Sequence, residues 1–211
     1  LQRLRYLSIV LIVVYIIVFT STEMFSVLRP VYFYEYNKYD IYSIEYVQMY
    51  PVDMVTNDVI FYLSGLTDNM NRRGFFGERE IVHMEDVKVL FRAGSAVRFY
   101  LIIVLAFLIK KSENQKDFSK RYRITYLSVV GGILALTGLI AMNFNRAFVI
   151  FHKLFFSNDY WILYPSESII INLMPEGFFM DMAIYILVSF FILSLLVSYI
   201  IQKTLPQEKN I

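Results

Sequence analysis

Three long uncharged runs constrain this chain more than any other feature. Tyr6 to Thr22 is rich in Ile and Val, and its helix is expected to continue past Glu23 to about Val27. Ile124 to Asn145 reads "ITYLSVVGGILALTGLIAMNFN", and Met182 to Gln202 is the third run. A bilayer core about 30 Å thick needs roughly 20 mostly apolar residues as helix, and each run comes close to that length. A fourth stretch, Phe99 to Ile109, is too short alone. Extended back to Ala93 it reaches a workable length and encloses Arg98, whose long side chain can snorkel to the interface. Composition agrees: 57% of residues are hydrophobic and only 18% charged, below the roughly 25% usual in soluble domains.

The expected fold class is therefore an α-helical membrane protein with four transmembrane helices in a single membrane domain, 1–211. The spans fall at about 6–27, 93–110, 124–145 and 181–202. No small-residue cleavage pattern follows the first run, so it reads as a retained helix rather than a signal peptide. Gly131, Gly132 and Gly138 in the third span suit close helix approach.

Four spans place both termini on one side. That side carries ten Lys and Arg against three acids, Glu113, Asp117 and Glu208, for a net +7; the other side is at −5. The positive-inside rule then makes both termini and the 110–123 loop cytoplasmic. The loops at about 28–92 and 146–180 are extracytoplasmic, and each holds one of the two histidines.

The first outer loop opens with "RPVYFYEYNKYDIYSIEYVQMYP", dense in Tyr and β-branched residues that suit strands. Val52, Val55, Val59 and Leu63 then recur at helical spacing after Pro51, with Gly65 as a stop. Residues 80–83 alternate like a short strand. Glu85 and Asp86 look like first-turn acids of a following helix, and Gly94-Ser95-Ala96 reads as a break before the span. The expected outer element is a small α+β unit. In the second outer loop, 147–156 is too short to span. Phe148, His152 and Phe155 share a face while Arg146, Ile150 and Lys153 share another, as in an interfacial segment. Tyr160 and Trp161 are interface-belt types, and Asn172 is a candidate cap for the last helix.

The chain has no cysteine, which removes disulfides and thiol chemistry. It has no Gly-x-Ser-x-Gly elbow, Gly-rich phosphate loop or basic nucleic-acid stripe. Histidine is the default acid–base group near neutral pH. His83 and His152 each sit in a polar cluster beside a span, so a structural and a catalytic role both stand. A zinc site from the two histidines and an acid would be short of ligands; no metal and no other cofactor is expected.

"GEREIVHMEDVKVLF", then "FNRAFVIFHKLFFSNDYWIL" some fifty residues on, then "LMPEGFF" before the final span, resemble a bacterial integral-membrane family, the lipoprotein intramolecular transacylases. The resemblance covers essentially the whole chain. It implies an enzyme that moves the sn-2 acyl chain of an S-diacylglyceryl lipoprotein onto the α-amino group of its own N-terminal cysteine. The product is the N-acyl, S-monoacylglyceryl (lyso) form. It implies catalytic histidines at His83 and His152.

That chemistry needs proton transfer, which imidazole supplies, and donors for a tetrahedral oxyanion. Arg146, Asn158 and Trp161 are the expected oxyanion or substrate contacts, with Arg92 and Arg98 as further cations. Glu80 or Asp86 would orient His83. Two imidazoles about 4–8 Å apart would reach one reacting centre, given hydrogen-bond reach of roughly 3 Å each; beyond about 12 Å the pairing fails. The expected partners are a diacylated lipoprotein in the outer leaflet of the cytoplasmic membrane and membrane lipid, with the enzyme a monomer. The competing readings are a non-enzymatic membrane accessory protein and a zinc-dependent membrane hydrolase.

Overall fold

In the computed structural model, residues 2–112 and 118–204 are described. Glu113, Lys116, Asp117, Glu208 and Lys209, which enter the charge argument, lie outside them. The long helices are α1 (Gln2–Val27), α5 (Glu78–Lys110), α6 (Phe118–Met142) and α9 (Glu176–Thr204). The shorter ones are α2 (Arg29–Lys38), α3 (Glu45–Gln48), α4 (Val52–Leu63), α7 (Phe144–Phe155) and α8 (Ile169–Leu173), with a 3-10 turn at Ile41–Ser43. Four helices are long and apolar enough to cross a membrane: Leu4–Val27, Glu78–Lys110, Lys120–Met142 and Glu176–Ile201.

No strand occurs among the described residues, so the expected α+β element is corrected to an all-helical one. The Tyr-rich segment is α2, a 3-10 turn and α3. Pro30 sits in the first turn of α2, where a missing N–H costs nothing. Tyr32, Glu35 and Tyr36 are buried at helical spacing. Tyrosine's strand preference is a preference for a pleated, half-buried surface. One helix face meets the same need here, packing Tyr32 and Tyr36 on Phe178 at ring separations of 5.3 and 6.5 Å. Helix α4 covers the expected residues, and Gly65 follows it at φ 79°, the left-handed stop glycine tolerates best.

The chain forms two compact units. The first comprises Leu1–Ser21, Gly94–Asn143 and Ile186–Ile211; the second comprises Thr22–Ala93 and Phe144–Tyr185. In the first, Tyr6, Ile9, Val10, Val13 and Ile17 form one buried stripe of α1. They pack in a cluster with Phe118, Tyr122 and Tyr126 of α6 and Phe190 of α9, and the Tyr126 hydroxyl lies 2.9 Å from that of Ser194. Close helix approach does not fall at the third-span glycines: a Cβ at Gly131, Gly132 or Gly138 would meet nothing. It falls at Gly94, inside an unbroken α5 rather than at a break. Tyr15 donates to the Gly94 carbonyl at 3.0 Å and stacks on Phe19 at 5.8 Å, and a Cβ at Gly94 would overlap the Phe19 ring. Gly94→Ala should therefore cost about 1–3 kcal/mol, the usual overpacking penalty, read as a lower midpoint for thermal unfolding in detergent. Gly131→Ala, into open space, is the matched control; equal shifts in the two variants would refute the assignment.

In the second unit, Tyr32, Tyr36, Val55, Val59, Tyr62, Met84, Ile169 and Leu173 belong to one buried cluster. A polar clamp ties α2 to α9: Lys38 and Tyr39 both donate to Asp181, and Tyr185 donates to Glu35. Burial pushes the Glu35 carboxyl above its usual range.

Candidate active site

Helix α5 starts at Glu78, seven residues before the expected first-turn acid Glu85. The Gly77 N–H donates to the Glu80 carboxyl at 2.8 Å, closing the first turn as in a capping box. Alternation over four residues does not distinguish a strand from this turn. His83 consequently lies in the second turn, not ahead of the helix. Glu80, His83, Met84 and Lys88 are buried, a spacing of three, four and eight that is one helical face.

Helix α7 presents three arcs, set by 100° steps along its sequence. Ile150, Phe151, Leu154 and Phe155 form an exposed apolar arc, and Arg146 and Lys153 an exposed basic one. His152 is buried on the third, beside Phe148 and next to the buried Phe156. The expected partner Phe155 thus faces out, and Phe156 takes its place.

These placements bring the two histidines together. Their ring centroids are 5.8 Å apart, at an interplanar angle of 38°. Phe156 packs on both, 5.1 Å from His83 and 5.5 Å from His152. Phe148 lies 4.2 Å from the His152 ring and Trp161 4.9 Å on a shallow tilt of 31°. His152 Nδ1 is 2.7 Å from the Phe148 carbonyl oxygen. A carbonyl only accepts, so Nδ1 carries the hydrogen, and the neutral ring keeps its lone pair on Nε2. Burial lowers the proton affinity of His152 below the ordinary histidine range, partly offset by the bond to Phe148. His83 Nδ1 is buried with no hydrogen-bond partner among the described residues.

The Glu80 carboxyl, expected to orient His83, is bonded to other groups. One oxygen holds Gly77, and the other accepts from the Ser168 hydroxyl at 2.7 Å and the Ile170 N–H at 2.8 Å. Asp86 accepts from Asn158 at 2.8 Å, and the Asn158 carbonyl oxygen accepts the Tyr160 N–H. Two expected site residues thus bind each other. Arg146 is exposed in the first turn of α7. Arg92 pairs with Asp68 at 2.6 Å, and Arg98 reaches the Thr20 hydroxyl and lies over Phe19. Asn172 is a loop staple rather than a cap for α9: its amide donates to the Pro165 and Ser168 carbonyls, both at 2.7 Å. Among the described residues no three His, Asp or Glu side chains gather as a metal site would need.

Sequence reasoning missed Phe156, which packs on both histidines, and Arg79, whose guanidinium reaches the Asp159 and Ile162 carbonyls. The available signal was spacing: Arg79, His83 and Asp86 stand at i, i+4 and i+7, one stripe of α5.

The family model described as lipoprotein intramolecular transacylase Lit matches residues 7–179. No curated protein matches the chain by sequence. Among solved structures, the membrane-integral lipoprotein intramolecular transacylase Lit from Bacillus cereus aligns at TM-score 0.74 and 25% identity, over 95% of this chain and 96% of that one. A variant of the same protein with one histidine replaced by alanine aligns at TM-score 0.72 and 26% identity, over 96% and 92%. Four membrane-length helices and this likeness define the class, an integral-membrane acyltransferase that acts on lipoproteins. The chain belongs to the lipoprotein intramolecular transacylase family Lit.

Proposed function

We propose that His152 and His83 are the acid–base pair for transfer of the sn-2 acyl chain of an S-diacylglyceryl lipoprotein to the α-amino group of its own N-terminal cysteine. The 5.8 Å imidazole pair carries this reading, within the separation that lets both rings reach one centre. The neutral α-amine attacks the ester carbonyl and an N–C bond forms. His152 Nε2 takes the proton from the nitrogen. The tetrahedral intermediate collapses, the C–O bond to glycerol breaks, and the departing oxygen receives a proton from the imidazole pair. The proton lost by nitrogen equals the proton gained by oxygen, so the pair returns unchanged.

Nucleophile and ester share one molecule, so proximity is built into the substrate and neither an acyl-enzyme nor a cofactor is required. Trp161 Nε1, the Asn158 amide hydrogen not given to Asp86, and Arg146 are the proposed donors to the oxyanion or substrate. The exposed Ile150, Phe151, Leu154 and Phe155 suit the lipid interface at which such a substrate resides. The charge asymmetry supports an orientation with both termini cytoplasmic and the site facing outward, towards the outer leaflet of the cytoplasmic membrane.

The test follows from the atom balance. The transfer leaves the mass of the lipoprotein N-terminus unchanged, so tandem mass spectrometry is needed. Expression in a strain without other lipoprotein N-acylation should yield N-acyl cysteine fragments and a monoacylglyceryl loss at constant parent mass. A parent mass raised by one acyl chain would sink the intramolecular reading.

A pH prediction follows as well. The α-amine titrates near about 8, so log(kcat/KM) should rise with slope one up to that value. Only below the His152 titration should the slope reach two. Because burial lowers that titration, the steepening is expected clearly below about 6.5, the ordinary histidine value. Steepening at or above that value would count against His152 as the base.

A further inference from the structure

The segment after α7 has no regular secondary structure, yet it carries Trp161 onto the His152 ring. Contacts from α5 hold it. An Arg79 terminal nitrogen donates to the Asp159 carbonyl and, at 3.4 Å, to that of Ile162. The Arg79 guanidinium also lies 5.4 Å over the Tyr160 ring. Arg79 therefore grips the residues on both sides of Trp161. One turn beyond His83, Asp86 holds Asn158. The arginine fork suits this job, since one planar group can bind two carbonyls and stack on an aromatic face.

We propose that Arg79 is a positioning residue that fixes the 158–162 segment and thereby seats Trp161 against His152. The catalytic half of this proposal rests on the histidine reading above; the loop-fixing half does not. Without the grip, Trp161 leaves the imidazole and water reaches it. His152 then loses the orientation that aims Nε2 at the substrate. Asp86 with Asn158 is the second latch, so Arg79 removal loosens the segment without releasing it.

Trp161 is the only tryptophan in the chain, so its emission reports this one contact. The protein in lipid vesicles, which add no tryptophan, is compared with Arg79→Ala and with Arg79→Gln, whose shorter side chain keeps one amide donor pair and guards against a folding failure. The expected result is a red-shifted Trp161 emission and at least twofold greater acrylamide quenching in Arg79→Ala, with Arg79→Gln intermediate. Activity should fall about tenfold, mainly in kcat, and the steepening of the pH profile should move up towards the ordinary histidine value. Unchanged emission and quenching in both variants overturns the proposal. So does a displaced Trp161 with full activity and an unmoved pH profile. Failure of the histidine reading appears elsewhere, as full activity in His152 variants, and leaves the fluorescence result intact.

Discussion

His152→Ala should slow lyso-form production about 10²- to 10⁴-fold, the usual range for loss of a positioned general base. The variant removes Nε2, the one lone pair that the bond to Phe148 leaves open. It also removes packing against Phe148, Phe156 and Trp161. Alanine alone therefore confounds catalysis with stability. His152→Asn separates them, because its side-chain amide reaches the Nδ1 position and can donate to the Phe148 carbonyl while offering no base. Its thermal midpoint should recover part of the alanine loss, and its rate should stay as low. Tandem mass spectrometry of lipoprotein N-termini reads the rate and unfolding in detergent reads the midpoint. An asparagine variant within about tenfold of the parent rate would remove His152 from the base role. His83→Ala tests the partner in the same assay.

The membrane helices were legible because lipid leaves few choices: an uncharged run of sufficient length must be helix. Tyr6–Thr22 and the run from Met182 sit in α1 and α9 as read. What the runs could not show was how far the helices continue. Helix α5 passes through Glu78, Arg79, Glu80, Glu85, Asp86 and Lys88 because its buried face is chosen by packing, not by hydropathy. The strand reading of 29–51 failed for a related reason. Tyrosine density marks a surface to be buried, and only tertiary partners such as Phe178 decide whether a helix or a sheet presents it.

The two histidines were legible as a pair through scarcity and placement, and the family resemblance pointed to the same residues. Their supporting shell was not. Arg79 looked like one charge among many, yet its contacts are backbone carbonyls eighty residues away. Asp86 and Asn158 each stand out in the sequence, but nothing local says that they bind each other. Carbonyl acceptors leave no trace in side-chain composition, so a loop fixed through its backbone is hidden until the fold is known. The same holds for Phe148, whose ring packs on His152 as an aromatic should but whose main-chain carbonyl also holds Nδ1.

Glu80→Ala is expected to destabilise the protein by roughly 3–6 kcal/mol, among the largest effects a single substitution produces. Glu80 is 2% exposed and receives three donors: the Gly77 N–H, the Ser168 hydroxyl and the Ile170 N–H. Each buried donor left unpaired costs about 1–3 kcal/mol, and water has little access to replace the carboxyl. Ser168 also caps α8 by accepting from Ile171, so the loss spreads from the start of α5 to the start of α8. Glu80→Gln keeps the shape and one acceptor but turns an NH₂ towards a donor, so its loss should be intermediate. The measurement distinguishes two roles for this acid. A group that orients His83 would, on removal, lower kcat and displace the pH profile at an unchanged thermal midpoint. A hub joining two helix starts gives the reverse: a large fall in midpoint, with the remaining folded enzyme keeping the parent pH profile. A large midpoint loss with an unmoved profile would place Glu80 in the scaffold and leave His83 oriented by packing on Phe156 and His152.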